Sequence, residues 1–142
     1  MVLESIIDAI SNAICADFPD SKIYGYENVA QGLEKLGFFV ALLSASRTRI
    51  VGERYDYIAL FDVRYYPANP DDNREMYSVG ETLLDSLGKV TRANGVPLFA
   101  SQMHYQVTDG VLHFFARYRL VLIREEDKDE MEKLIVSMKV VS

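Results

Sequence analysis

The chain has 142 residues, a net charge of -6, a pI near 4.9 and a single cysteine. That length suits one domain, taken as residues 1–142, with a real core, and 49% hydrophobic with 25% charged residues is ordinary for a soluble globular protein. The acidic balance argues against a primary role gripping nucleic-acid phosphates, one cysteine (Cys15) excludes an internal disulfide, and no apolar run approaches the ~18 residues of a membrane span.

The opening "MVLESIIDAISNAI" lacks a signal peptide's basic start and unbroken apolar run, because Glu4 and Asp8 interrupt it at helical spacing. Leu3, Ile6, Ile7, Ile10 and Ile14 instead predict an amphipathic helix over residues 2–17, stopped by Pro19, with Cys15 off the centre of its stripe. A short strand in "KIYGY" follows. "GFFVALLSAS" (37–46) and "ERYDYIALFDVRYY" (53–66) read as two long strands joined by "RTRIVG". In the second, Tyr57, Ala59, Phe61, Val63 and Tyr65 share the core face, and Asp56, Asp62 and Arg64 lie on the other.

The stretch "YYPANPDDNREM" admits two readings, a metal-binding loop or a strand stop followed by a helix cap. Adjacent acids without a glycine or closing glutamate at ligand offsets are poor chelation geometry. Capping is favoured: Pro67 ends the strand, and Asn69 serves as N-cap with Pro70 at N1 and Asp72 at N3. An Asp72/Glu75 capping box one turn later is the alternative. Met76, Val79, Gly80, Leu83, Leu84 and Leu87 then form the apolar stripe of a second helix ending at Gly88 as C′.

"VTDGVL" places Asp109-Gly110 between two alternating runs, a strong hairpin signal. A two-residue loop there pairs Val107 with Leu112, Tyr105 with Phe114, Met103 with Ala116 and Phe99 with Leu120 on the core face. The outward face pairs Gln106 with His113, His104 with Phe115 and Gln102 with Arg117. "REEDKDEMEKL" reads as a short charged helix with Met131 and Leu134 inward, and "IVSMKVV" as an edge strand. The fold class is α+β, an antiparallel or mixed sheet of about four to six strands flanked by two or three helices.

In order and pattern the chain resembles the small tail terminator proteins of tailed bacteriophages and prophages of Gram-positive bacteria. The resemblance rests on the first helix closing at "DFPDSKIYGYE", the "FFVALLSASR" and "FDVRYYP" strands, the acidic helix start, the "VTDGVLHFFARYRL" hairpin and the "EEDKDEMEKL" close. It implies a non-enzymatic structural protein, needing no cofactor, that forms a six-fold ring on the finished tail tube. Such a ring stops tube polymerisation and offers a joining surface to head-completion or connector proteins. The partners implied are further copies of the chain, the tube protein and the connector, with DNA only passing through the lumen and no membrane. The implied location is the virion tail, after assembly in the host cytoplasm. A head-completion or neck protein of the same virion is the nearest rival.

Candidate contact residues follow. Arg47, Arg49 and Arg54 are the one basic cluster on an acidic chain; Ile50 and Val51 between them favour a protein contact over a purely solvated tip, and lining a lumen through which DNA passes is a third reading. His104 and His113, the only histidines, share the outward hairpin face with Phe115, Arg117 and Arg119. A ligand- or metal-binding domain using that face is the rival from another class, but two histidines without further ligands make a weak zinc site. Ser44, Ser46 and Ser101 lack a nucleophile elbow, and no phosphate-binding glycine loop is present. Tyr24, Tyr26, Tyr55 and Tyr66 are candidate subunit-contact aromatics.

Overall fold

The computed structural model describes residues 1–25, 36–125 and 135–139. The first helix, α1, runs Val2–Asp17 and buries Ile6, Ile7, Ala9, Ile10 and Ile14, the stripe its periodicity predicts. Each fully buried isoleucine contributes roughly 1.5–3 kcal/mol of transfer free energy, so this face alone fixes the helix on the sheet. Phe18 closes it, donating its amide to Ile14 at 2.8 Å and setting its ring 5.0 Å from that of Phe38.

Strand β1 is two residues, Ile23–Tyr24, and pairs in parallel with Phe38 and Phe39 of β2, which makes the sheet mixed. β2 spans Gly37–Val51 and β3 spans Arg54–Tyr66, antiparallel to it. The expected connection "RTRIVG" is therefore corrected. Arg47, Arg49, Ile50, Val51 and Arg54 are strand residues, and only Gly52 and Glu53 form the turn. The β-branched Thr48, Ile50 and Val51 extend the strand, and Gly52, at φ 56°, supplies the left-handed residue that ends it. Register shifts between Leu42 and Ser44, and between Arg49 and Val51, interrupt the ladder. On β3, Ala59, Phe61 and Val63 are fully buried on the predicted core face, flanked by the partly buried Tyr57 and Tyr65.

Helix α2 runs Asn73–Ser86. Its N-cap is Asp72, whose side chain accepts the Glu75 amide at 3.0 Å. The alternative cap is thus the one adopted, and Asn69 has a different task. Its Oδ1 accepts the Asp71 amide at 3.0 Å, forming a turn that leads into the helix. Glu75 does not complete a capping box, because its carboxylate accepts the Tyr65 hydroxyl at 2.7 Å instead. Met76, Val79, Gly80 and Leu83 are buried as the stripe requires. At the other end the Leu87 amide bonds Leu83, and Gly88 is not left-handed. It leads straight into β4, Lys89–Thr91, and its carbonyl accepts the Ala100 amide at 3.0 Å.

Strands β5, Pro97–Thr108, and β6, Val111–Glu125, meet in the predicted hairpin. Asp109 at φ 53° and Gly110 at φ 75° make the two positive-φ positions of a type I′ turn. The register holds from Thr108–Val111 to Gln102–Arg117. Beyond that, Ser101 is bulged out, so Ala100 pairs with Tyr118 and the expected Phe99–Leu120 pair does not form. The bulge reverses the phase of the strand: Leu98 is buried, and Phe99 pairs with Lys89 of β4 and is exposed.

The sheet order is β1-β2-β3-β6-β5-β4, and β7, Ile135–Lys139, pairs with the distal half of β6 as the expected edge strand. The helices cover one face, giving the α+β architecture, with the core cluster between them and β2, β3, β5 and β6. The predicted charged helix around Met131 falls outside the described residues.

Candidate functional site

Two surfaces hold the residues singled out from the sequence. One is the far half of β2. Every residue from 42 to 51 is exposed, including Leu42, Leu43, Ile50 and Val51, half of the exposed large apolar side chains among the described residues. β1 covers the outer edge of β2 only at Phe38 and Phe39, so the edge beyond is unpaired among the described residues. Register places Arg47 opposite Tyr57 and Arg49 opposite Tyr55, on the side of the sheet that is core nearer the helices. Both guanidinium groups lie over the Tyr55 ring, at 4.5 and 5.3 Å from its centroid. Tyr55 is only 6% exposed in consequence, and its hydroxyl donates to Glu53 at 3.2 Å. The ring holds the two cations side by side, and each such contact contributes about 0.5–1 kcal/mol at an exposed site.

The second surface is the sheet face away from the helices. His104 stacks on Phe115 at 4.7 Å, and His113 lies nearly parallel to the same ring at 6.3 Å. Asp62, 3% exposed, accepts Arg64 Nε at 2.8 Å and faces His113 Nδ1 at 3.1 Å. Arg119 Nε donates to Asp56 at 2.6 Å, and Arg117 Nη1 donates to Ser101 Oγ at 2.8 Å. Arg119 and His113 of β6 each meet a carboxylate of β3, Arg64 pairs with Asp62 within β3, and Arg117 of β6 holds Ser101 of β5. Ser101 is committed to Arg117, so it is not poised as a nucleophile. Among the described residues no three His, Cys, Asp or Glu side chains converge as metal ligands.

The structure thus separates what the sequence had grouped loosely. Arg47, Arg49, Ile50, Val51 and Arg54 lie on one exposed hairpin, while His104, His113, Phe115, Arg117 and Arg119 share the open face of the sheet. Sequence reasoning missed the roles of two residues. Asp62 is the buried anchor of its face, and Tyr55 is the platform under the arginines. Both were visible as strand residues, but His113 reaches Asp62, and the two arginines reach Tyr55, from other strands. Of the other candidate aromatics, Tyr24 stacks on Phe39 at 4.7 Å and Tyr66 meets the same ring edge-on at 5.0 Å. They line an open cleft of about 500 Å³ with Asp20, Lys22, Tyr65 and Glu75. Tyr26 lies outside the described residues.

These arrangements suit docking between proteins: exposed apolar residues with fixed cations on a projecting strand pair, and a braced polar-aromatic face. No helix among the described residues is long and apolar enough to cross a membrane. Comparison with curated proteins gives no match. A family model described as phage tail terminator protein matches residues 5–130, which takes in α1 from Ser5 on, α2, β1 to β6 and every candidate contact residue. The chain belongs to the phage tail terminator family.

Proposed function

We propose that the chain, folding as one domain, caps the finished tail tube as a homo-oligomeric, six-fold ring. It ends addition of tube subunits and offers the joining surface for the head-completion or connector protein. Its work is structural, in the virion tail, after assembly in the host cytoplasm, with DNA passing only through the lumen. The observation that carries this reading is the family match across the described fold. The long exposed β2–β3 hairpin supports it, since an acidic chain has little reason to display arginines and aliphatic side chains together unless another surface covers them.

The test is polymerisation of the cognate tail-tube protein with and without the purified chain. A terminator yields shorter tubes, each ending in a ring of this chain by negative-stain microscopy. Tubes of unchanged length and bare ends would remove the reading, and capture of the portal complex in place of tube subunits would assign the chain to the neck.

A further inference from the structure

We infer that the β2–β3 hairpin of one copy docks on the exposed stripe of α2 of the next, Arg47 and Arg49 meeting Asp85 and Glu81. This deepens the ring reading and rests on it.

Charge is segregated within the chain. The hairpin from residue 42 to 54 carries three arginines against Glu53. The helical layer is acidic: α1 has Glu4, Asp8 and Asp17 and no base, and α2 has Glu75, Glu81 and Asp85 against Arg74. Ser86 of α2 donates to Asp17 of α1, which gathers Asp17 and Asp85 at the same end of the two helices. Tyr77, Glu81 and Asp85 follow i, i+4, i+8 spacing and all three are exposed, Tyr77 by 51%.

The two rows match in length. Arg47 and Arg49, two strand residues apart on one face, are separated by about 7 Å, and Glu81 and Asp85 by about 6 Å along the helix axis. The components are fixed in advance on both sides. Tyr55 holds the two guanidinium groups, and the Tyr105 hydroxyl donates to Glu81 at 2.7 Å and orients that carboxylate.

A chain cannot satisfy this contact by itself. β2 is near one edge of the sheet, and α2 packs over β4, β5 and β6 toward the other. The contact is therefore head-to-tail, and a head-to-tail contact generates a ring when its rotation closes. Strand addition along β2 is the less suited use of the same surface. Two register shifts break its ladder, and charged side chains on an exposed edge oppose foreign strands.

The test uses the full chain, with assembly followed by sedimentation from micromolar to millimolar concentration. Arg47→Glu/Arg49→Glu should raise the dissociation constant on the order of tenfold or more, as should Glu81→Lys/Asp85→Lys. Mixing the two variants in equal amounts should restore assembly, because the acidic hairpin of one then meets the basic helix of the other. That recovery also shows that both variants fold. Rings that form unchanged in both charge-reversed variants, or variants that fail to rescue each other, overturn the docking and leave the ring reading standing. A parent chain that stays monomeric throughout, and also with tube protein added, overturns both.

Discussion

Gly80 of α2 lies so close to Tyr105 of β5 that a Cβ on the glycine would stand 2.7 Å from two carbons of the ring. Real Cβ atoms do not approach that closely, so the absence of a side chain here sets the distance between helix and sheet. Gly80→Ala gains about 1 kcal/mol of helix propensity but costs about 1–3 kcal/mol in overpacking. The ring cannot withdraw cheaply, because its hydroxyl is bonded to Glu81 at 2.7 Å. A net loss of about 1 kcal/mol is expected, read from the urea midpoint. In a Tyr105→Ala background the sign should reverse, since only the propensity gain remains. An alanine that stabilises the parent chain would show that the ring moves freely.

Asp72 and Asn69 are predicted to differ, although both are small polar residues before a helix. Asp72 accepts the Glu75 amide and caps α2, so Asp72→Ala should cost about 1 kcal/mol. Asn69 only braces an exposed turn through the Asp71 amide, so Asn69→Ala should stay within about 0.5 kcal/mol. Equal losses in thermal melts of the two variants would mean that the helix begins at Pro70.

The contrast shows how much was legible in the sequence. Local signals carried well: the stripe of α1, the Asp109-Gly110 turn, the register from Thr108 to Gln102 and the apolar face of α2 follow from spacing alone. Features that needed a second segment did not. The cap moved from Asn69 to Asp72 because a turn through Asn69 precedes the helix. The Phe99–Leu120 pair was lost to a bulge at Ser101, where β5 leaves β6 for β4. "RTRIVG" looked like a loop because arginines and a glycine suggest one, whereas Thr48, Arg49 and Val51 pair with β3 almost to the turn. The candidate contact residues were found as residue types, but their division into a hairpin and an open face is a property of the sheet order.

Asp62 is expected to matter more for stability than any other acid on the open face. It is buried, yet both of its partners, Arg64 and His113, come from the same sheet and keep about a quarter of their side-chain surface exposed. Removing the carboxylate leaves two polar groups without their acceptor in a half-dry setting. Asp62→Ala should cost about 2 kcal/mol, below the 3–5 kcal/mol typical of a fully buried pair, because water can reach the partners. Asp62→Asn should cost less, since the amide oxygen still accepts one bond. Chemical denaturation checks both, and an alanine variant with the parent midpoint would show that the cluster contributes nothing.

Tyr118 makes stability depend on alkaline pH. Its ring is fully buried against the core and its hydroxyl donates to the Leu87 carbonyl at 2.7 Å, so burial pushes its pKa well above the ordinary tyrosine value. The unfolded chain releases this proton near pH ~10 while the folded chain keeps it. The contribution is thus complete below pH ~10 and drains as pH rises further, because the unfolded state then binds fewer protons than the native one. Tyr65 acts in the same direction, raised by burial and then by its bond to Glu75. Tyr118→Phe should cost about 1–2 kcal/mol at neutral pH by leaving the Leu87 carbonyl without its donor. It should also lose less stability than the parent between about pH 9 and about pH 11, and Tyr65→Phe/Tyr118→Phe less still. Urea titrations across that range measure the slopes, and parallel slopes for all three proteins would show that these phenols titrate alike folded and unfolded.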